Sequence, residues 1–245
     1  MTALRERMIQ DLQLHGMKEK TQALYVRAVQ GLAEYHHKPP DQITEEEVRQ
    51  YFLYLKNTKR HAPSTLRVEY CGIRFLFEYT LQKRWAILEI AHVTTAKKMP
   101  VVLTIEEVRK ILERVRLPCF RACLGTIYAC GLRIQEGVYL QVQDIDGQRE
   151  LVHIKNGKGG KERYVPIPQI ALKMLRDYWC THRNPTWLFP SRAEALYRPG
   201  TAIAPLAIRS VQRAFRDALQ KSGVKKEATV HTLRHYVECW IMVSV

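Results

Sequence analysis

Two short runs of β-forming residues, Leu151-Val152-His153-Ile154 and Tyr164-Val165-Pro166-Ile167, flank Asn156-Gly157-Lys158-Gly159-Gly160-Lys161. Asn-Gly followed by Gly-Gly supplies the backbone freedom that a tight reversal needs, so this segment predicts a β-hairpin. Elsewhere the apolar residues recur mostly with a helical period. The chain is therefore restricted to a mainly α fold carrying one small β-hairpin or sheet.

Residues 1–87 predict a four-helix module. Leu4, Met8 and Leu12 repeat every four residues until Gly16, and Tyr25, Ala28, Val29 and Leu32 make one buried stripe before Pro39-Pro40. Thr44 and Glu47 form a capping box ahead of Val48, Tyr51, Phe52 and Leu55. After Pro63, Ser64 is expected to cap a fourth helix with Leu66, Tyr70, Ile73 and Phe77 inward. Lys56, Lys59, Arg60, Arg67 and Arg74 then gather at one end, either as a solvated face or as one that tracks phosphates. Residues 88–100 lose the period and include Lys97, Lys98 and Pro100, which reads as a linker.

Residues 101–245 predict a second domain, α+β in character. Thr104 and Glu107 open a helix with Val108, Ile111, Leu112 and Val115 inward, and another runs from Cys119 to Ala129, broken by Gly131. The hairpin follows, then a helix from Pro168 to Tyr178. A last helix buries Ile208, Val211, Phe215 and Leu219 and turns Arg209, Arg213 and Arg216 outward.

Charge narrows the partner. The 245 residues carry a net charge of +15, with 16 basic and 11 acidic side chains in residues 1–98 and 23 and 13 in residues 99–245. An excess spread over two folded halves suits a long polyanion. Arg5, Glu6, Arg7 and Asp11 break up the N-terminus, so it is no signal-peptide core, and the apolar stretch from Ala122 to Leu132 is too short to span a membrane. The six cysteines form no CxxC pair, which disfavours a zinc ribbon or disulfide framework and fits a reduced cytoplasmic compartment. His231 and His235 lack the glutamate of an HExxH site, so no metal is expected.

Four residues stand out by their setting. Arg133 follows the helix break at Gly131-Leu132, with Glu136 one turn on as an ion-pair partner; Lys158 sits at the hairpin tip. His231 and Arg234 are three apart and would share one helix face. Two guanidiniums, an ammonium and an imidazole suit a phosphodiester undergoing substitution. Arginine forks grip the non-bridging oxygens as phosphorus becomes five-coordinate, and lysine or histidine can protonate the leaving oxygen.

The ordered motifs Ala129-Cys130-Gly131-Leu132-Arg133-Ile134-Gln135-Glu136, Gly157-Lys158-Gly159-Gly160-Lys161-Glu162-Arg163, Leu188-Phe189-Pro190-Ser191 and His231-Thr232-Leu233-Arg234-His235 resemble the tyrosine recombinase (phage integrase) family. The resemblance covers nearly the whole chain. It implies that residues 1–87 are a helical core-binding (SAM-like) domain and residues 101–245 most of a catalytic domain. It makes Arg133 and Arg234 a phosphate clamp, Lys158 the general acid for the 5′-hydroxyl, His231 an acid–base and phosphate-binding group, and Glu136 the support of the first arginine. It also implies double-stranded DNA as partner, DNA integration and recombination through a 3′-phosphotyrosyl intermediate, and neither cofactor nor metal. The resemblance further implies assembly as tetramers on DNA, and a role in a phage, a transposon or other mobile element, an integron-like system or chromosome resolution, which the residues leave open.

One departure bears on activity. Tyr236 is the only tyrosine after Arg234 and follows it by two residues, so it faces away from the clamp on a continuing helix. No nucleophile is expected in this chain, which reads as a recombinase truncated at its C-terminus. The alternative is a non-enzymatic DNA-binding remnant or regulator that occupies recombination sites.

Overall fold

The computed structural model describes residues 2–90, 99–155, 161–192 and 199–234. The chain divides into two compact units, Met1–Lys98 and Met99–Val245.

In the first unit, helices α1 (Ala3–Leu14), α2 (Glu19–His36), α3 (Glu45–Leu53), α4 (Pro63–Phe75) and α5 (Ala86–Ile90) follow in order. The stripes read from the sequence are the ones buried: Met8, Leu12, Leu32, Val48, Ile73 and Phe77 are each at most 2% exposed. Thr44 and Glu47 form the expected capping box, the Glu47 amide donating to Thr44 Oγ1 and the Thr44 amide to Glu47 Oε2. Ser64, expected to cap the fourth helix, does not. Pro63 takes the first helical position and Ala62 the cap, because the fixed φ of proline suits that position and it has no N–H to leave unpaired.

Two features carried no signal in the apolar spacing. Helices α3 and α4 each run on into a wider π turn, Tyr54–Thr58 and Leu76–Thr80. The short α5 overlaps the start of the expected linker: Ile87 and Leu88 are buried in this unit's core, and the Ile87 amide donates to Glu45 Oε1 at 2.9 Å. Five residues are too few to display a helical period.

The second unit contains α6 (Ile105–Glu113), α7 (Pro118–Ala129), α8 (Ile134–Val138), strands β1 (Ile145–Asp146), β2 (Leu151–Ile154) and β3 (Arg163–Pro166), then α9 (Gln169–Cys180) and α10 (Ile208–Ser222). The three strands form an antiparallel sheet in the order β1-β2-β3. The expected hairpin is thus present, with its second strand beginning one residue earlier than the apolar run. Register pairs Ile154 with Arg163 and Val152 with Val165, while Ile167 leaves the ladder to enter the core. Starting β3 at Arg163 places a guanidinium at the beginning of a strand, and the site depends on it. Thr104 and Glu107 cap α6 as expected. Val211 and Phe215 of α10 are buried, and its arginines lie on the exposed side.

Helices α2 and α4 approach closely at Gly72 of α4. A Cβ there would lie 2.9 Å from Tyr25 Cα and 3.0 Å from the Tyr25 carbonyl oxygen of α2. Gly→Ala within a helix normally gains about 1 kcal/mol in propensity. Here the obstructing atoms include backbone, so α2 and α4 must separate, at a cost of ~1–3 kcal/mol. Gly72→Ala is expected to lower the urea unfolding midpoint despite the better helix former; an unchanged or higher midpoint would contradict the close approach.

Candidate functional site

The site is built outward from the end of α7. Gly131 adopts φ +57°, which a Cβ would disfavour, and two reversed hydrogen bonds close the helix: Leu132 N–H to the Ile127 carbonyl at 3.0 Å and Gly131 N–H to the Tyr128 carbonyl at 3.4 Å. Ile127 and Leu132 are fully buried against the same core, so the chain leaves α7 in one fixed direction. The next residue, Arg133, is the N-cap of α8.

Glu136, one turn into α8, gathers the basic residues. Its Oε2 accepts the Arg133 backbone N–H at 2.8 Å and its Oε1 accepts Arg133 Nη1 at 2.8 Å. The ion pair expected from the three-residue spacing is therefore formed. Arg163 of β3 adds a two-pronged contact, Nη1 to Oε1 at 3.0 Å and Nη2 to Oε2 at 2.7 Å. Arg234 Nη1 lies 3.7 Å from Glu136 Oε2. Three guanidiniums from three separate elements thus meet one carboxylate whose side chain is only 3% exposed, while those of Arg133 and Arg163 are 36% and 34% exposed.

Burial by itself would raise the Glu136 pKa. The hydrogen bonds from Arg163, then those from the Arg133 backbone and side chain, outweigh burial and bring it from 4.5 down to about 2. Arg163 in turn is held more firmly protonated by Glu136. A cavity of about 520 Å³ lies beside the cluster, with Gly131, Arg149, Glu150, Arg163 and Arg234 in its lining.

His231 and Arg234 share a helical turn at 230–234, three residues apart as the sequence implied. Val230 and Leu233 are buried and fix the turn to the core; the Thr229 amide donates to Thr232 Oγ1 at 3.0 Å. His231 is exposed, whereas the Arg234 side chain is 16% exposed. Lys158 belongs to the connection between β2 and β3 and lies outside the described residues, as do Lys97, Lys98, His235 and Tyr236.

The residues expected to track a backbone divide between the units. Lys56, Lys59, Arg60, Arg67 and Arg74 are all exposed. Lys56 and Lys59 belong to the π turn and its cap, Arg60 has φ +49°, and Arg74 is engaged by Glu78 at 2.7 Å. Arg209 and Arg213 are exposed one turn apart on α10. Arg163 was not singled out from the sequence. Its signal was present in the strand register, which puts residue 163 on the same side as Val165, but one basic residue in a lysine-rich hairpin does not distinguish itself.

Residues 4–87 match the model described as phage integrase, N-terminal SAM-like domain, and residues 101–243 match the phage integrase family. The chain belongs to the phage integrase family. A Sinorhizobium fredii protein that carries the name integrase/recombinase, y4qK, is 37% identical over 236 residues, covering 96% of this chain and 74% of the relative. Tyrosine recombinase XerC of Halalkalibacterium halodurans is 29% identical over 202 residues, 77% of this chain and 65% of that protein. The fold is shared with a lambda integrase dimer bound to a COC′ core site (TM-score 0.72, 19% identity, 95% of this chain and 86% of that one). The family reading drawn from the four motifs is borne out, as is the mainly helical fold with a small sheet.

In this phage integrase relative, Glu136 should stay ionised well below the usual carboxylate range. Because its folded pKa is depressed, its contribution to stability is complete above 4.5 and is lost as pH falls from there through about 2. The Glu136 side-chain carboxyl resonance is expected to hold constant from neutral pH to pH ~4 and to move only on approach to 2. Titration near 4.5 would show that the arginines do not hold it.

Proposed function

We propose that this chain is a DNA-binding site-specific recombinase or integrase whose second unit grips a phosphodiester of double-stranded DNA between Arg133 and Arg234. The observation that carries the reading is the convergence of three guanidiniums on one buried carboxylate. Such an arrangement leaves positive charge in excess at a fixed place, which is what a phosphate oxygen and a developing five-coordinate phosphorus require. Residues 101–245 are assigned as the catalytic domain, residues 1–87 as the core-binding domain, and residues 88–100 as the linker.

Within that reading the roles follow from chemistry. Arg133 and Arg234 hold the non-bridging oxygens, and Glu136 fixes Arg133 at both its backbone and its guanidinium. His231, exposed one turn before Arg234, donates a hydrogen bond or moves a proton at the same phosphate. Lys158, on the hairpin that begins β3 with Arg163, supplies the proton to the leaving 5′-oxygen. Lys56, Lys59, Arg60, Arg67, Arg74, Lys97, Lys98, Arg209 and Arg213 neutralise phosphates along the duplex. Solved relatives described as bound to DNA, the lambda integrase dimer and the Tn1549 transposon integrase on its right-end DNA, support the choice of partner. The free thiols Cys71, Cys119, Cys123, Cys130 and Cys180 fit a cytoplasmic location, where such DNA lies.

Duplex affinity measured across a range of salt concentrations tests this. Binding should weaken steeply, log K falling by ~0.9 for each phosphate neutralised per unit of log salt. Arg133→Gln and Arg234→Gln are each expected to weaken binding uniformly over sequences and to reduce the slope by ~0.9. Folded variants that keep the parent slope would refute the clamp.

A further inference from the structure

The phosphate clamp contains a charge problem that the proposed roles do not resolve. Glu136 is a full negative charge, hydrogen-bonded to Arg133 and 3.7 Å from Arg234. Left to those two partners, it would consume half of the positive charge they offer to a phosphate. Its two oxygens have about four lone-pair sites between them, enough to draw both guanidiniums inward. Arg163 changes that balance. It spans both oxygens with its two terminal nitrogens, at 3.0 and 2.7 Å, from the first residue of β3.

We propose that Arg163 is a positioning residue whose charge cancels that of Glu136, so that the charges of Arg133 and Arg234 remain in excess for the phosphate. The inference rests on the clamp reading above. Among these four side chains, Arg163 raises the net charge from +1 to +2. A phosphodiester carries one negative charge, and a second develops on its oxygens as phosphorus becomes five-coordinate.

The depressed pKa of Glu136 agrees, since Arg163 is the largest of the influences that lower it. The placement has a second consequence. Arg163 and Lys158 belong to the same hairpin, so the fork on Glu136 also ties the base of the lysine-bearing connection to the start of α8. One carboxylate thereby fixes the clamp arginine and the strand from which the general acid is carried.

Salt-dependent binding of a mixed-sequence DNA duplex, with thermal melting as a check on folding, tests the charge count. Arg163→Gln leaves Glu136 uncancelled and is expected to lower the slope by ~0.9, as if one phosphate contact were lost. Arg163→Lys keeps the charge and should retain the parent slope. The double variant Glu136→Gln, Arg163→Gln removes both charges, so its slope should rise above that of Arg163→Gln by up to ~0.9. If Arg163→Gln keeps the parent slope, or if the double variant stays as low as the single, Arg163 either serves folding alone or touches the DNA itself, and the proposal falls. Should Arg163→Gln not fold, Glu136→Gln alone, which leaves Arg163 uncancelled, carries the decision: its slope should exceed that of the double variant by ~0.9, and an equal slope overturns the proposal. Arg133→Gln in parallel separates the two readings: an unchanged slope there refutes the clamp and not merely the role of Arg163.

Discussion

The buried carboxylate of Glu136 is the interaction on which the second unit's site depends. Placing a charge where its side chain is only 3% exposed is costly unless every lone pair finds a donor. Here the donors come from two places, the N-cap of α8 and the first residue of β3, and the helical turn at 230–234 adds a third positive charge at 3.7 Å. None of the three is close to the others in sequence. The carboxylate therefore acts as a tertiary fastener, and the same contacts that satisfy it hold the guanidiniums where a phosphate can meet them. Arginine side chains carry about 2 kcal/mol of rotamer entropy when free, so fixing them during folding leaves less to lose at the moment of binding.

Each guanidinium is delivered by a different piece of backbone chemistry. Gly131 in the left-handed region, with Ile127 and Leu132 buried on either side of it, sets the direction in which Arg133 leaves α7. The pairing of Ile154 with Arg163 sets which residue begins β3. Leu233, fully buried, fixes the turn that carries Arg234. These are ordinary folding constraints whose combined effect is a concentration of charge at one point.

Much of this was legible in the residues and some was not. The capping boxes at Thr44 and Thr104, the buried stripes of α2, α4 and α10, and the hairpin all follow from local rules, because in each case the determining residues lie within one or two turns. Arg133, Glu136, His231 and Arg234 stood out for the same reason: a helix break or a three-residue spacing marks them. Arg163 did not, because what distinguishes it is a contact with a residue 27 positions earlier, set by strand register rather than composition. The π turns after α3 and α4 and the short α5 were missed because apolar spacing does not separate a π turn from an α turn or identify a helix of five residues. The N-cap of α4 was misread because Ser64 has capping chemistry, whereas the neighbouring Pro63 has the stronger geometric preference for the first turn.

A comparison within the chain shows how the site departs from its own building rules. Three glutamates, Glu47, Glu107 and Glu136, occupy the third position of their helices and accept the backbone N–H of the N-cap residue, and each also holds a cation: Lys38, Lys226 and the arginine cluster. At the first two the N-cap is threonine, whose hydroxyl oxygen accepts the glutamate's own amide N–H, and the carboxylates are partly exposed. At the third the N-cap is arginine, which has no acceptor to return. Giving up a Thr-type cap costs ~1 kcal/mol of helix stability. That loss occurs where the carboxylate is most buried and most fully surrounded by guanidiniums. A cap chosen for stability alone would have been threonine here too. Arginine at this position makes sense when the helix start serves to aim a charge, and the ion pair with Glu136 offsets what the missing hydroxyl would have supplied.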